Sequence, residues 1–187
     1  TGATGFIGHQ LISKCSDNCL RAVGCVRELS QSEIINSESI VIEDIVSFDK
    51  WDEVLNGFNT VIHLAARAHV LSEFSNSPID EFRKINRDAT LKLAKSASSA
   101  GLKRFIYMSS IGVLGDSAQM EYAFNNDSIY NPKEPYAISK MEERFDAIAI
   151  IDPELMDSQG STVSNIMFRS LEIKDDTRID MNAFQTA

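Results

Sequence analysis

Apolar and polar positions follow two rhythms along this chain, and they take turns. Short apolar runs without a clear polar face recur at residues 20–26, 40–42, 60–64 (TVIHL), 104–108 (RFIYM) and 165–168, as in strands covered on both sides. Between them the period lengthens to three and four. Residues 78–100 place Phe82, Ile85, Ala89, Leu93, Ala97 and Ala100 on one helical stripe, with Pro78 suited to a first turn and Gly101 to the stop. Residues 6–14 and 136–149 also read as helices, and 51–55 as a helical turn ended by Asn56 and Gly57. Strands that alternate with helices predict an α/β fold: a doubly wound parallel sheet covered on both faces. Residues 110–135 form a long irregular stretch, and long loops in compact domains tend to carry function. Patterning weakens after Ile151, where 152–161 (DPELMDSQGS) reads as a loop, and the polar tail begins at Ser170. One domain over 1–169 is expected, with 170–187 an irregular tail or the start of a substrate region.

The first helix opens on TGATGFIG, with glycines at Gly2, Gly5 and Gly8. Gly2 can take a tight turn, Gly5 lets a pyrophosphate approach bare backbone, and Gly8 lets the helix pack closely on a sheet. The helix then aims unpaired N–H groups and its positive dipole end at the anion. Such loops ordinarily follow a hydrophobic strand, and Thr1 has none before it. The expectation is a domain that starts just after its first strand.

Composition narrows the class. The length of 187 residues suits one domain with a real core, and 43% apolar with 24% charged residues is an ordinary globular balance. A net charge of −9 argues against a general nucleic-acid or anionic-membrane binder. No apolar run approaches the roughly 20 residues that span a bilayer. Cys15, Cys19 and Cys25 are odd in number and lack zinc-type spacing, which points to reduced thiols and a cytoplasmic protein.

Three further features bear on chemistry. About twenty residues past the loop, an acidic residue at the end of the second strand would bind the ribose hydroxyl of NAD, and an arginine would accommodate the phosphate of NADP. Arg27 stands there with Glu28 beside it, which favours NADP; the same arginine is also compatible with a plain solvated loop. Tyr136 and Lys140 lie four apart on one helix face, where an ammonium can lower a phenol's pKa and make it a usable acid or base. A surface tyrosine and lysine on an amphipathic helix give the same spacing. Ser109-Ser110 end the RFIYM strand, where ligands sit in open α/β sheets; a turn or cap serine is the commoner occupant. Their order along the chain carries more weight than any one of them. His9, His63 and His69 have no second ligand at metal spacing and read as structural, so no metal site is expected.

With these pieces in this order, residues 1 to about 169 resemble the extended short-chain dehydrogenase/reductase superfamily, in its NAD-dependent epimerase/dehydratase group. TGATGFIG resembles the cofactor loop, and so implies cofactor contacts at Gly2, Gly5, Phe6, Ile7 and Gly8. Asp44-Ile45 resembles the pair beside the adenine, and HLAA (63–66) the strand end that lines the cofactor, giving Leu64, Ala65 and Ala66. Asn86 matches a structural asparagine. SSIGVLG (109–115) and YAISK (136–140) place the catalytic residues at Ser110, Tyr136 and Lys140, with Lys140 also on the nicotinamide ribose. The resemblance implies a Rossmann-type domain lacking its first strand and the C-terminal substrate domain.

HLAARAHV, GLKRFIYMSSIGVLGD and PYAISK are most similar to UDP-hexose 4-epimerase-like proteins, some of which act as 4-keto reductases. The implied enzyme moves hydride at carbon 4 of a nucleotide sugar, with NAD(P) as cofactor and a UDP-hexose as substrate. Tyr136 would move the hydroxyl proton, Lys140 would tune it, and Ser110 would position the oxygen. Pairing of two copies through the helices at 78–100 and 136–149 is a further implication.

The departures count as well. Ile111-Gly112 follow Ser110 where 4,6-dehydratases carry Asp-Glu, which argues against dehydration. Leu114 replaces a tyrosine, and Ser170-Leu171-Glu172 follow Arg169 where a proline is usual. The alternative class is a non-catalytic NAD(P)-binding module, and the chain as it stands is expected to be inactive.

Overall fold

The computed structural model describes residues 1–68, 77–116, 124, 128–151 and 168–172, with 144–151 and 168–172 as backbone. Helix α1, Phe6–Asp17, begins directly after Gly5 and stops at Asn18, whose amide donates back to the Lys14 carbonyl at 2.8 Å. It buries Gly8 and Ile12. Strand β1, Gly24–Val26, pairs in parallel with β2, Ser39–Val41. The apolar run at 20–26 is thus a strand only at its end. Cys19 takes a left-handed turn (φ 55°), Leu20 is exposed, and Arg21 forks onto Glu38 at 3.2 and 2.7 Å.

A single 3-10 turn, Leu29–Gln31, and the short α2, Ser32–Ile35, connect β1 to β2. The hydrophobic rhythm gives no sign of either. A reciprocal cap opens the 3-10 turn: the Gln31 side chain accepts from the Glu28 amide at 3.4 Å and the Arg27 amide at 3.0 Å, while the Glu28 side chain accepts from the Gln31 amide.

Helix α3, Trp51–Leu55, matches its prediction and leads into β3, Thr60–His63. β3 runs parallel to β4, Arg104–Met108, with Val61 opposite Phe105. β4 also pairs with β5, Phe168–Glu172, but antiparallel. An antiparallel edge strand on an otherwise parallel sheet is a common mixed arrangement. Only Phe168 of the strand expected at 165–168 lies in β5, and 165–167 fall outside the described residues.

The predicted helix over 78–100 is three pieces. Helix α4, Pro78–Phe82, passes into a π-helical stretch, Arg83–Asp88, and then into α5, Ala89–Ser99. The wide turn holds Asn86, which is fully buried on the apolar stripe. Gly101 (φ 71°) makes the stop.

α3 and α5 cover the β3–β4 sheet and enclose the main core: Trp51, Leu55, Val61, Leu93, Ala94, Ala97, Leu102, Phe105 and Tyr107. A second, smaller core joins Ala3, Ile12, Val26 and Ile35 around α1 and β1. Thr1 links the halves. Its ammonium donates to the Ile62 carbonyl at 2.9 Å, and the Leu64 amide donates to the Thr1 carbonyl at 3.3 Å, so Thr1 runs alongside β3. Helix α6, Pro135–Ile151, packs against α5. Among the described residues no helix is long and apolar enough to cross a membrane.

Candidate active site

The glycine loop folds as it does because side chains are missing from it. A Cβ on Gly8 would lie 2.1 Å from the Gly2 carbonyl oxygen. One on Gly2 (φ 72°) would lie 2.7 Å from the Ala65 amide nitrogen. The loop therefore presses against both its own helix and the end of β3. Gly5 differs: an added Cβ there would meet only the Gly2 oxygen, at 3.3 Å, so its outer side is open. α1 starts there with no side-chain cap and no acidic residue in its first turn. An uncapped helix start behind an open glycine fits a pyrophosphate. Phe6 (90% exposed) and Ile7 (49%) flank the same opening.

The other predicted cofactor residues sit along the carboxyl ends of the strands. Leu64 and Ala65 are half-buried and Ala66 exposed, directly after β3 and against the loop. Arg27 is exposed just past β1. Asp44 caps its own turn, accepting from the Val46 amide at 3.1 Å and the Ser47 hydroxyl at 2.8 Å. Those bonds hold its carboxyl below the ordinary range. Ile45 packs against the main core.

Ser110 follows β4 and starts a 3-10 turn, Ile111–Leu114, accepting from the Gly112 amide at 3.3 Å. Its hydroxyl also acts on the Tyr136 phenol, favouring the phenolate. Because β3 and β4 are parallel, the glycine-loop contact at Leu64–Ala65 and Ser110 lie at the same end of the sheet.

Lys140 departs from the expected arrangement. It is buried, and its ammonium bonds the buried Glu143 carboxylate and lies 5.0 Å from the centre of the Tyr107 ring. The phenol of Tyr136 is accordingly not lowered. Burial pushes its pKa up, the Glu143 charge adds to that, and the Ser110 bond opposes both. The Lys140 ammonium is engaged by Glu143, one turn beyond Tyr136 on the same helix.

Glu143 belongs to a buried chain of polar groups. Its second oxygen accepts from the Thr90 hydroxyl at 2.9 Å. Thr90 also donates to the Asn86 carbonyl at 2.6 Å and meets His63 Nε2 at 2.7 Å. His63 Nδ1 meets the Thr1 hydroxyl at 2.7 Å. Thr90 has one proton, shared between two acceptors, so His63 donates from Nε2 and accepts at Nδ1. Burial first, then the Thr1 ammonium and Lys140, hold His63 well below its ordinary pKa. Its 3.9 Å approach to Glu143 is therefore no ion pair. Burial also drives Glu143 up to about 7, against the pull of Lys140. No group of metal ligands forms among the described residues.

Asn86 ties this cluster to the strand end. It accepts from the Arg67 amide at 2.7 Å and donates to the Arg67 carbonyl at 3.1 Å and to Ser139 at 2.9 Å. Glu143 and Thr90 were missed in the sequence, although both stand at helical steps from expected residues: Lys140 to Glu143, and Asn86 to Thr90.

The model of the NAD dependent epimerase/dehydratase family matches residues 1–144. The chain belongs to that family. A UDP-glucose 4-epimerase of Vibrio cholerae is 30% identical over 159 residues, covering 84% of this chain and 48% of the relative. A dTDP-D-glucose 4,6-dehydratase of Dictyostelium discoideum is 30% identical over 172 residues, covering 75% of this chain and 37% of the relative. Among solved structures, MoeE5 in complex with UDP-glucose and NAD superimposes with a TM-score of 0.66 at 26% identity, over 81% of this chain and 48% of that one. The fold is that of the short-chain dehydrogenase/reductases, a Rossmann-like α/β domain. The chain spans about half the length of the family members it matches.

Proposed function

We propose that this member of the epimerase/dehydratase family carries the cofactor and acid–base part of an enzyme that moves hydride at carbon 4 of a nucleotide sugar. The reading rests on one observation: the open glycine loop and the Ser110–Tyr136 pair share one end of a parallel sheet. NAD(P) would be held by Gly2, Gly5, Phe6, Ile7 and Gly8, with Leu64, Ala65, Ala66, Asp44 and Ile45 along its length, and it supplies a hydride acceptor and donor when bound. Tyr136 takes the proton from the sugar hydroxyl as that carbon is oxidised and returns it on reduction. Ser110, steadied by the Gly112 amide, positions the sugar oxygen. Lys140 places a cation one turn behind Tyr136.

NADP is the favoured form. Glu28 is engaged in its cap and with Ser30 at 3.4 Å, which leaves Arg27 exposed beside the site for the extra phosphate. The UDP-glucose and NAD bound to MoeE5 support a UDP-hexose substrate but weigh towards NAD. A second reading, cofactor binding without turnover, is favoured by the Lys140–Glu143 pair, which leaves Tyr136 unprimed.

Incubation with UDP-glucose and NAD, with and without NADPH, followed by proton NMR of the sugar, separates these readings. Formation of the 4-epimer without NADPH consumption identifies an epimerase. Reduction of a 4-keto sugar with NADPH consumption identifies a reductase. Saturable cofactor binding with neither product leaves the non-catalytic module.

A further inference from the structure

Two charges are buried one and two turns from Tyr136 on α6, and taking them out of water is expensive. An apolar pair of similar volume would hold α5 and α6 together at less cost. The carboxylate is also aimed. Thr90 of α5 fixes one oxygen at 2.9 Å, and that leaves the other facing Lys140. We propose that Glu143 is a positioning residue for this site: it holds the Lys140 ammonium and thereby decides how much of that positive charge Tyr136 feels. The inference rests on the reading of Tyr136 as the acid–base group.

Among the described residues, four groups face Glu143. Lys140 and Tyr136 approach from α6, Thr90 from α5, and His63 from β3 at 3.9 Å. Tyr107 of β4 lies on the far side of Lys140, and the Thr1 ammonium lies beyond His63. His63 is neutral, so Lys140 is the cation that balances the carboxylate. When Glu143 is ionised, it offsets Lys140 and opposes a negative charge on Tyr136. When it takes a proton, Lys140 is released to stabilise the phenolate. The Thr90–His63–Thr1 bonds run from this carboxylate to the glycine loop, so the cofactor loop and the acid–base group share one hydrogen-bonded chain.

The test is an NMR titration of the full chain labelled with 13C at the tyrosine ring carbon that bears oxygen. Tyr136→Phe assigns the signal among the four tyrosines. Glu143→Gln is expected to move the Tyr136 midpoint to lower pH, and Glu143→Asp, which keeps the charge, to leave it nearer the parent. In the parent, the Tyr136 signal is expected to show a smaller inflection near pH 7, where Glu143 takes its proton. A folded Glu143→Gln chain with an unmoved Tyr136 midpoint would overturn the proposal. If that variant does not fold, the parent decides, and a Tyr136 signal with no inflection at any pH below its own midpoint overturns it equally. No sugar or cofactor is needed, so a chain that turns over nothing still answers the question.

Discussion

The glycine loop and the acid–base cluster lie at the same end of one sheet and are built by opposite means. In the loop, geometry follows from absent side chains, with carbonyl and amide groups packed where a methyl group cannot fit. In the cluster it follows from buried polar side chains drawn from β3, the π-helical stretch, α5 and α6, each meeting a partner far along the chain. The first arrangement is local and steric. The second exists only after the helices have packed, and each of its groups must be satisfied or pay desolvation.

Substitutions break the two regions differently. The largest effect is expected from Gly8→Ala. Its methyl group would sit 2.1 Å from the Gly2 oxygen, so the loop must move. Nicotinamide binding should vanish, with about 1–3 kcal/mol of stability lost to overpacking; fluorescence titration and thermal unfolding read both. Where the parent turns over a nucleotide sugar, Tyr136→Phe should lower the rate of the chemical step by about 10²–10⁴-fold while cofactor affinity holds, which single-turnover kinetics checks. Asn86→Ala leaves the half-buried Arg67 amide without its Asn86 acceptor. A loss of about 1–3 kcal/mol in urea unfolding is expected, with the cofactor loop intact.

A smaller effect separates two buried titrations. Glu143 has a raised folded pKa, so its contribution to stability falls as pH rises from the ordinary carboxyl value to about 7. His63 is lowered, so its contribution is lost as pH falls below the ordinary imidazole value. Glu143→Gln removes only the first. Its Tm relative to the parent should therefore climb between pH 5 and 7, which scanning calorimetry checks. The smallest effect is at the exposed Arg27: Arg27→Ala should shift the NADPH-to-NADH affinity ratio by up to about fivefold, read from competitive titration.

The same contrast explains what could be read before the fold was seen. The TGATGFIG loop was legible because the requirement for glycine is written in consecutive residues. β4 and α3 were legible because an apolar rhythm between clear stops needs no partner. The 3-10 turn at Leu29–Gln31 escaped because a Glu28–Gln31 cap, with no hydrophobic stripe, makes it. The π-helical break escaped because Asn86 sits on a regular apolar stripe, and only its contact with Arg67 shows why the turn widens there. Lys140 has a partner in the fold that the Tyr-Lys spacing does not point to. Spacing brought it to Tyr136, while Glu143, three residues on, became the nearer charge once both were buried. His63, structural by its spacing, is buried and neutral, wired between Thr1 and Thr90.

The most direct test of the account is a fluorescence titration of the chain with NADPH and NADH beside its Gly8→Ala variant. The account predicts saturable binding by the parent, tighter for NADPH, and none by the variant. No binding by the parent, or equal binding by both chains, would contradict it.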